Sequence, residues 1–442
     1  MKKPQRPPDF GRVWSDYLEK YNDLASRVNQ KNKESEEIRK LIRKYNEQEY
    51  IHWDDLRRKN IPFDHITFWF VIRTIRSTKY REIRIGDENF PFYTPENFQK
   101  QLHLLDKASP ASFDWLFGEF PSEANKNQYL RNSLMEEAIA SSQLEGAATT
   151  RPEAKKILRE GRKPKNTSER MIVNNYRTIL RLKELRDKPL SRELIIEIHE
   201  EITRDTLESA SDESGFRSCD VVVGDRVDPT KIYHYAPGCE KIPAMIDDLI
   251  AFANEDDEFI HPIVKAIILH FLIGYIHPFS DGNGRTARAI FYWFALKHHY
   301  DLLEYISISR IFAHAPVQYT RAYQLTETDS NDMTYFIDFN IHIISRALDD
   351  LKKYIINKKE EEAESLQLVE QIPDLSFRQA EILRDFIRHP TRPYTISEIA
   401  GKYKISLPTA RTDLLLLEGK GKLKKYLDGK RQIFMYKGGT RQ

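Results

Sequence analysis

The most apolar part of this chain, Ile263 to Leu296, is broken once, by the segment HPFSDGNGRTAR at 277–288. Upstream of the break, Ile263 to Ile276 is apolar apart from Lys265 and His270; downstream, Ala289 to Leu296 (AIFYWFAL) carries no charge. Segments that are hydrophobic on every side belong inside a protein core when they are too short and too interrupted to span a bilayer. The sequence therefore predicts two buried helices joined by a polar turn. A His, an Asp, two Gly around an Asn and two Arg need a reason to be there.

Taken as parts, these residues describe an anion site. Gly282, Asn283 and Gly284 directly precede the helix of Arg285 to Leu296. A glycine-bracketed turn at a helix N-terminus presents unpaired N–H groups and the positive end of the helix dipole. Arg285 and Arg288 are three residues apart, so the spacing predicts that both serve one anion from the first turn of the helix. Asp281 beside them would be repelled by phosphate unless Mg²⁺ lay between, since hard cations take carboxylate and phosphate oxygens together. His277 ends the preceding helix, where a neutral imidazole can accept a proton from an attacking hydroxyl. Together the parts predict nucleotide-dependent transfer onto a hydroxyl.

Three other readings fail. GNGRTA at 282–287 fits the dinucleotide fingerprint G-x-G-x-x-A, but that fingerprint follows a strand, and here a helical run opened by Pro262 precedes it. No G-x-x-x-x-G-K-[ST] and no kinase H-R-D or D-F-G set occurs. A purely structural turn would need the glycines but not His, Asp and two Arg as well.

HPFSDGNGRTAR matches the Fic motif, HPFx[D/E]GNGRxxR, at every defined position: His277, Pro278, Phe279, Asp281, Gly282, Asn283, Gly284, Arg285 and Arg288. The helical pattern from about 121 to 345, interrupted by a hairpin, is similar to the Fic fold. The resemblance implies adenylylation, in which AMP passes from ATP to a Ser, Thr or Tyr hydroxyl of a protein and pyrophosphate leaves. It also implies His277 as general base, Asp281 as the Mg²⁺ ligand, a phosphate cradle at Gly282 to Gly284 with Asn283, and Arg285 and Arg288 on the leaving end. Phe279 reads as packing.

Two further segments resemble the same family. SSQLEG at 141–146 fits the inhibitory motif [S/T]xxxE[G/N] with Ser141, Glu145 and Gly146, as in the subclass with an N-terminal inhibitory helix. The resemblance implies that Glu145 reaches Arg288 and restrains the site. Between Gly215 and Tyr235, CDVVVGDRVDPTKIYHY is β-branched, with turn signals at Gly224-Asp225 and Asp228-Pro229. It looks like the Fic flap, which takes up a target segment as an added strand; structural cover is the alternative. Elsewhere, His270 reads as a packed core histidine, Pro262 as a first-turn proline, and Cys219 as incidental.

The 442 residues exceed one typical domain, and their 40% hydrophobic and 31% charged content fits folded cores. The basic start runs into prolines with no apolar signal region. Two cysteines, Cys219 and Cys239, lie in no metal-type spacing and point to a reducing compartment, with the cytoplasm as the default. Charge is uneven: Ser376 to Gln442 holds 15 Lys/Arg against 6 Asp/Glu, a net of +9, which leaves −7 for the remainder of a chain whose total is +2. Such a basic end suits a polyanion, or a solvated surface.

Residues 1–120 read as a helical N-terminal region, with Phe63 to Arg84 as one buried helix and its extension. Residues 121–345 read as the Fic domain with its inhibitory helix, and 346–372 as a helical linker. In 373–442 three helical patterns precede KLKKYLDGKRQIFMY, two alternating strands around Asp428-Gly429. This part resembles bacterial winged helix-turn-helix repressor modules whose recognition helix carries TAR-DL, here Thr409, Ala410, Arg411, Asp413 and Leu414. In that motif Thr409, Arg411 and Thr412 would reach bases, and the wing basics Lys424, Lys425, Lys430 and Arg431 would meet phosphates.

The expected protein is thus mainly α: a Fic helical core with a β-hairpin flap, and a C-terminal winged helix-turn-helix domain. Expected partners are ATP, with Mg²⁺, and a protein substrate, the chain itself included. DNA or a docked protein would occupy the C-terminal domain; no membrane is expected, and a homodimer is left open. Transfer of another phosphate-containing group, removal of AMP, or a DNA-binding regulator that senses nucleotide are the alternatives.

Overall fold

A computed structural model describes residues 3–107, 123–207, 215–224, 228, 230–255, 258–370, 372, 374–428 and 431–438. The turn residues Asp225, Pro229 and Gly429 and the basic Lys430 lie outside them. Two compact units result: 1–116 with 127–351, and 117–126 with 352–442. The protein is mainly helical, with small β-hairpins.

In the first unit, α1 (Phe10–Asn29), α2 (Lys33–Arg43), α3 (Trp53–Leu56) and α4 (His65–Ser77) enclose an aromatic core around Phe68, Trp69 and Phe70. The next segment corrects the sequence reading. Arg81–Ile85 (β1) and Glu88–Phe92 (β2) form an antiparallel hairpin rather than a helical extension. Ile83 and Ile85 alternate with exposed Glu82 and Arg84, and Gly86 takes φ 58° in the turn. A period of two has won over helix propensity.

Helix α5 (Glu96–Lys107) follows, and then α6 (Glu123–Leu144), α7 (Arg151–Glu160), α8 (Thr167–Leu185) and α9 (Arg192–Thr203). Their starts are set by side-chain caps: Asn166 accepts from the Glu169 amide and Ser191 from the Leu194 amide. Strands β3 (Val222–Gly224) and β4 (Ile232–Tyr235) pair antiparallel with a bulge after Val223. Helix α10 (Ile242–Asn254) leads to the pair that fills the centre, α11 (Pro262–Ile276) and α12 (Asn283–Lys297). Apart from Pro262, Gly274 and Tyr275 in the former, and Gly284 and Lys297 in the latter, all their residues are buried. His270, inside α11, bonds Tyr319 Oη at 2.8 Å. Helices α13 (Ile308–His314), α14 (Pro316–Thr328) and the first part of α15 (Thr334–Glu370) complete this unit.

The second unit holds α16 (Phe377–Arg388), α17 (Ile396–Tyr403) and α18 (Leu407–Gly419), with a three-stranded sheet. The sheet places β7 (Arg431–Tyr436) between the short β5 (Tyr394–Thr395) and β6 (Leu423–Asp428). Ser376 with Gln379, and Thr395 with Glu398, form reciprocal capping boxes at two helix starts. Phe386, Ile399, Leu414, Leu417 and Phe434 share its core. No described helix is long and apolar enough to cross a membrane.

Candidate active site

The turn between α11 and α12 owes its shape to four residues. His277 ends α11 in the left-handed region, φ 50° and ψ 57°, with its amide still bonded to Ile273 O at 3.0 Å. Asn283 closes the loop from within: its Oδ1 accepts from the Phe279 amide at 2.9 Å and its Nδ2 donates to Phe279 O at 2.7 Å. Phe279 is fully buried and stacks on His199 at 3.6 Å between ring centres, the planes 2° apart. Gly282, at φ 83°, opens α12; a Cβ there would lie 2.6 Å from Thr203 Cγ2 and 3.3 Å from His199 Nε2. Both the backbone angle and the space demand glycine.

His277 Nδ1 lies 3.2 Å from Gly274 O. A carbonyl can only accept, so Nδ1 carries the proton and Nε2 keeps its lone pair. Burial, the main cause, pushes the imidazole down to about 4. The ring is therefore neutral at physiological pH.

In the second turn of α12, Arg288 is 2% exposed. Its Nε donates to Ser141 Oγ at 2.8 Å, and its Nη2 to Ser141 O and to Glu145 Oε1, each at 2.9 Å. Burial works against this charge, and Glu145, Tyr319 and Glu137 together more than offset it, so the guanidinium is held above its ordinary pKa. A Cβ on Gly284 would collide with Glu145 Oε1. The carboxylate thus lies against the N-terminal backbone of α12, where an anion is favoured. Ser141 and Glu145 come from α6 and its end. One turn earlier on the same helix, buried Glu137 accepts from Ser307 Oγ and the Ser309 amide, both at 2.9 Å.

A cavity of about 310 Å³ opens over these groups, lined by Glu145, His277, Gly284 and Arg288, by Val223, Gly224, Tyr233 and His234 of the β3–β4 hairpin, and by Tyr319, Tyr323 and Glu327 of α14. A larger one of about 450 Å³, around Tyr50, His52, Arg321 and Tyr335, lies apart from the motif, and its Arg321 is paired with Asp54 and Asp55.

Sequence reasoning expected Arg285 and Arg288 to serve one anion, and in this structure they part. Arg285 donates to Ile202 O at 3.3 Å and approaches Asp281 Oδ2 at 3.9 Å, and it does not line the cavity. The reason is packing: α9 lies alongside that face of α12. Asp281 keeps 63% of its side chain exposed, with one oxygen on the Gly282 amide. A single exposed carboxylate beside an anion site suits Mg²⁺, which retains waters and phosphate oxygens.

Two residues were missed. His199 Nε2 holds Asp281 O at 2.9 Å, and burial pushes its ring down to about 4. Arg217 donates from Nε to His277 O at 2.8 Å. A buried His beside Ile195, Ile198 and Ile202 on one helical face was a faint signal; Arg217 left none, because its partners are backbone carbonyls. Cys239, read as having no metal-type spacing, lies with Asp220 and Glu240 such that one ligand atom from each falls within 4.8 Å of the others.

At the other candidate site, Arg411 and Thr412 are exposed on α18 and Thr409 is half-buried at its start. Thr412 Oγ1 bonds Pro408 O at 3.0 Å. Asp413 is buried and anchors α18 to α16 through Arg378 Nε at 2.6 Å and Gln379 Nε2 at 2.9 Å. Lys424 and Lys425 are exposed neighbours on β6, so they project to opposite faces of the strand. Arg431, exposed, starts β7.

Residues 189–295 match the model of the Fic/DOC family. Over those residues the chain is similar to Fic domains. A protein adenylyltransferase Fic of Nematostella vectensis is 42% identical over 76 residues, 17% of this chain and 16% of that one. One of Culex quinquefasciatus is 35% identical over 75 residues, 16% of this chain and 15% of the relative. This chain thus spans about a sixth of the length of these curated relatives. A Fic family protein of Desulfovibrio desulfuricans G20 shares the fold, with a TM-score of 0.52 at 16% identity, over 78% of this chain and 96% of that one.

Proposed function

We propose that this Fic domain transfers AMP from ATP to a Ser, Thr or Tyr hydroxyl of a protein, and that Glu145 restrains it. The observation that carries the reading is the Glu145 carboxylate on Arg288, beside Gly284 at the start of α12. A negative group of the chain itself takes the position that the helix dipole and a buried arginine offer to a phosphate. His277 lines the same cavity as that position.

In this reading the amides of α12 and the Arg288 guanidinium bind the phosphates. Nε2 of His277 takes the proton of the target hydroxyl as its oxygen forms a bond to the α-phosphorus. The bond between that phosphorus and the oxygen bridging to the β-phosphate breaks, and pyrophosphate leaves. Mg²⁺, when bound, would be held by Asp281 and would supply positive charge to the phosphate oxygens. Asn283 shapes the loop through its side chain, and the β3–β4 hairpin would offer an edge to the target segment. While Glu145 holds Arg288, a triphosphate cannot use that arginine, and its α-phosphate sits out of line. The test is incubation with α-labelled and γ-labelled ATP: protein-bound α-label alone supports adenylylation, and protein-bound γ-label means another transfer.

We also propose that 373–442 is a winged helix-turn-helix domain that binds duplex DNA. Its support is the order of three helices and a hairpin, the net charge of +9 over Ser376 to Gln442, and the exposure of Arg411 and Thr412 on α18. The boundaries 1–120, 121–345 and 346–372 complete this division. No membrane partner belongs to it.

A further inference from the structure

Arg217 is buried, with none of its side-chain surface exposed. Its guanidinium meets backbone carbonyls from three segments. Nε donates to His277 O at 2.8 Å, Nη1 to Cys219 O at 2.6 Å, and Nη2 to Pro237 O at 2.5 Å and Ile276 O at 3.4 Å. Its own amide donates to Pro278 O at 2.9 Å. Cys219 precedes the β3–β4 hairpin and Pro237 follows it, so these carbonyls are the two feet of the hairpin. Ile276 is the last residue of α11 and His277 its cap, where carbonyl groups lack helical donors and the dipole is negative. Among the described residues, the carboxylate of Asp220 comes within 3.9 Å and is 75% exposed.

From this geometry we infer that Arg217 is a positioning residue of the transfer reaction: one planar cation ties both feet of the hairpin to the backbone of His277. The inference rests on the reading of His277 as the base and the hairpin as the place where the target segment adds. It goes beyond that reading by saying what sets the distance between them. The fork of Arg217 fixes the left-handed turn at His277 and the height of the hairpin in a single rigid unit, because guanidinium donors diverge in one plane at fixed angles. A lysine offers a single ammonium and would reach some of these carbonyls. An uncharged side chain would leave buried carbonyls unpaired. A displacement of about 1 Å between base and hydroxyl costs on the order of 10²-fold in rate.

Among the described residues, no hydrogen bond or ion pair joins Arg217 to the anion site at Gly282 to Gly284 and Arg288, and this separates positioning from folding. The experiment uses the full chain in a Glu145→Gly background and compares Arg217 with Arg217→Lys and Arg217→Gln. Three quantities are read: kcat for labelling from α-labelled ATP, KM for the labelled target, and the Kd and stoichiometry of a non-hydrolysable ATP analogue. The expected result for Arg217→Gln is a kcat lower on the order of 10²-fold and a raised target KM. ATP-analogue affinity and stoichiometry should stay within about two-fold, since α12 is untouched. Arg217→Lys should recover part of kcat. Unchanged kcat and KM in Arg217→Gln would overturn the inference. So would loss of analogue-binding sites in proportion to activity in both variants, because the role would then be structural. If the Glu145→Gly parent itself transfers no label, the functional reading fails instead.

Discussion

His277 is held in a conformation that a non-glycine residue adopts at a cost of about 1–2 kcal/mol. The strain is met by named contacts: its amide on Ile273 O, its carbonyl on Arg217, its Nδ1 on Gly274 O. The ring is thereby fixed at the wall of the cavity. His277→Ala should lower kcat by roughly 10²–10⁴-fold, the range for removing a general base, while ATP affinity stays near normal because the anion site is built from other residues. Near-normal labelling by that variant, measured with α-labelled ATP, would refute the role. The motif was legible in the sequence because its parts are contiguous and chemically distinct. Arg217 and His199 were not, since each acts on carbonyl oxygens, and carbonyls leave no trace in side-chain spelling. The i, i+4, i+8 series Glu137, Ser141 and Glu145 could have been seen as one face of α6, and only the last two were.

At the scale of elements, helices were readable where a period of 3.6 was bounded by caps, as at Asn166, Ser191 and Ser376. The first strand of the β1–β2 hairpin was read as a helical extension because Arg81, Glu82 and Arg84 around Ile83 are good helix formers, and Gly86-Asp87 passed unnoticed as a turn. The spread of Arg285 and Arg288 to different partners was also invisible. It depends on α9 lying against one side of α12, a tertiary fact. The start of α12 yields a prediction of its own. Gly282→Ala would need an alanine at φ 83° with its methyl 2.6 Å from Thr203 Cγ2. Stability should fall by more than about 1 kcal/mol, read from urea unfolding, and labelling should fall further because the loop can no longer seat Asp281 and Gly284. An unchanged unfolding midpoint would mean that the turn accepts a side chain.

For the molecule as a whole, buried neutral histidines tie stability to pH. Burial pushes His52 down to about 3, and His199 and His277 to about 4. Their folded pKa values lie below the unfolded one of about 6.5, so the unfolded chain binds protons that the native one refuses. The stability they contribute is complete above pH 6.5 and is lost as pH falls toward 4. The slope is about 1.4 kcal/mol per pH unit for each proton bound. In His52→Asn, whose side chain can still accept from the Asp54 amide, urea midpoints between pH 7 and 5 should fall less steeply than in wild type; an identical slope would contradict this.

The basic second unit is tested in the full chain by titrating duplex DNA over a range of salt. Binding should weaken steeply as salt rises, and Arg411→Ala should cost about 1–3 kcal/mol on a preferred sequence. No binding to any duplex at low salt would favour a protein partner for this unit.

The central claim is AMP transfer restrained by the Glu145–Arg288 contact. The most direct measurement compares wild type, Glu145→Gly and Glu145→Gly with Arg288→Ala, each incubated with α-labelled and with γ-labelled ATP. The account predicts that α-label on protein rises on the order of 10²-fold in Glu145→Gly, that γ-label stays off, and that Arg288→Ala abolishes the gain. A folded Glu145→Gly chain that takes up no more α-label than wild type, or that takes up γ-label, would contradict it.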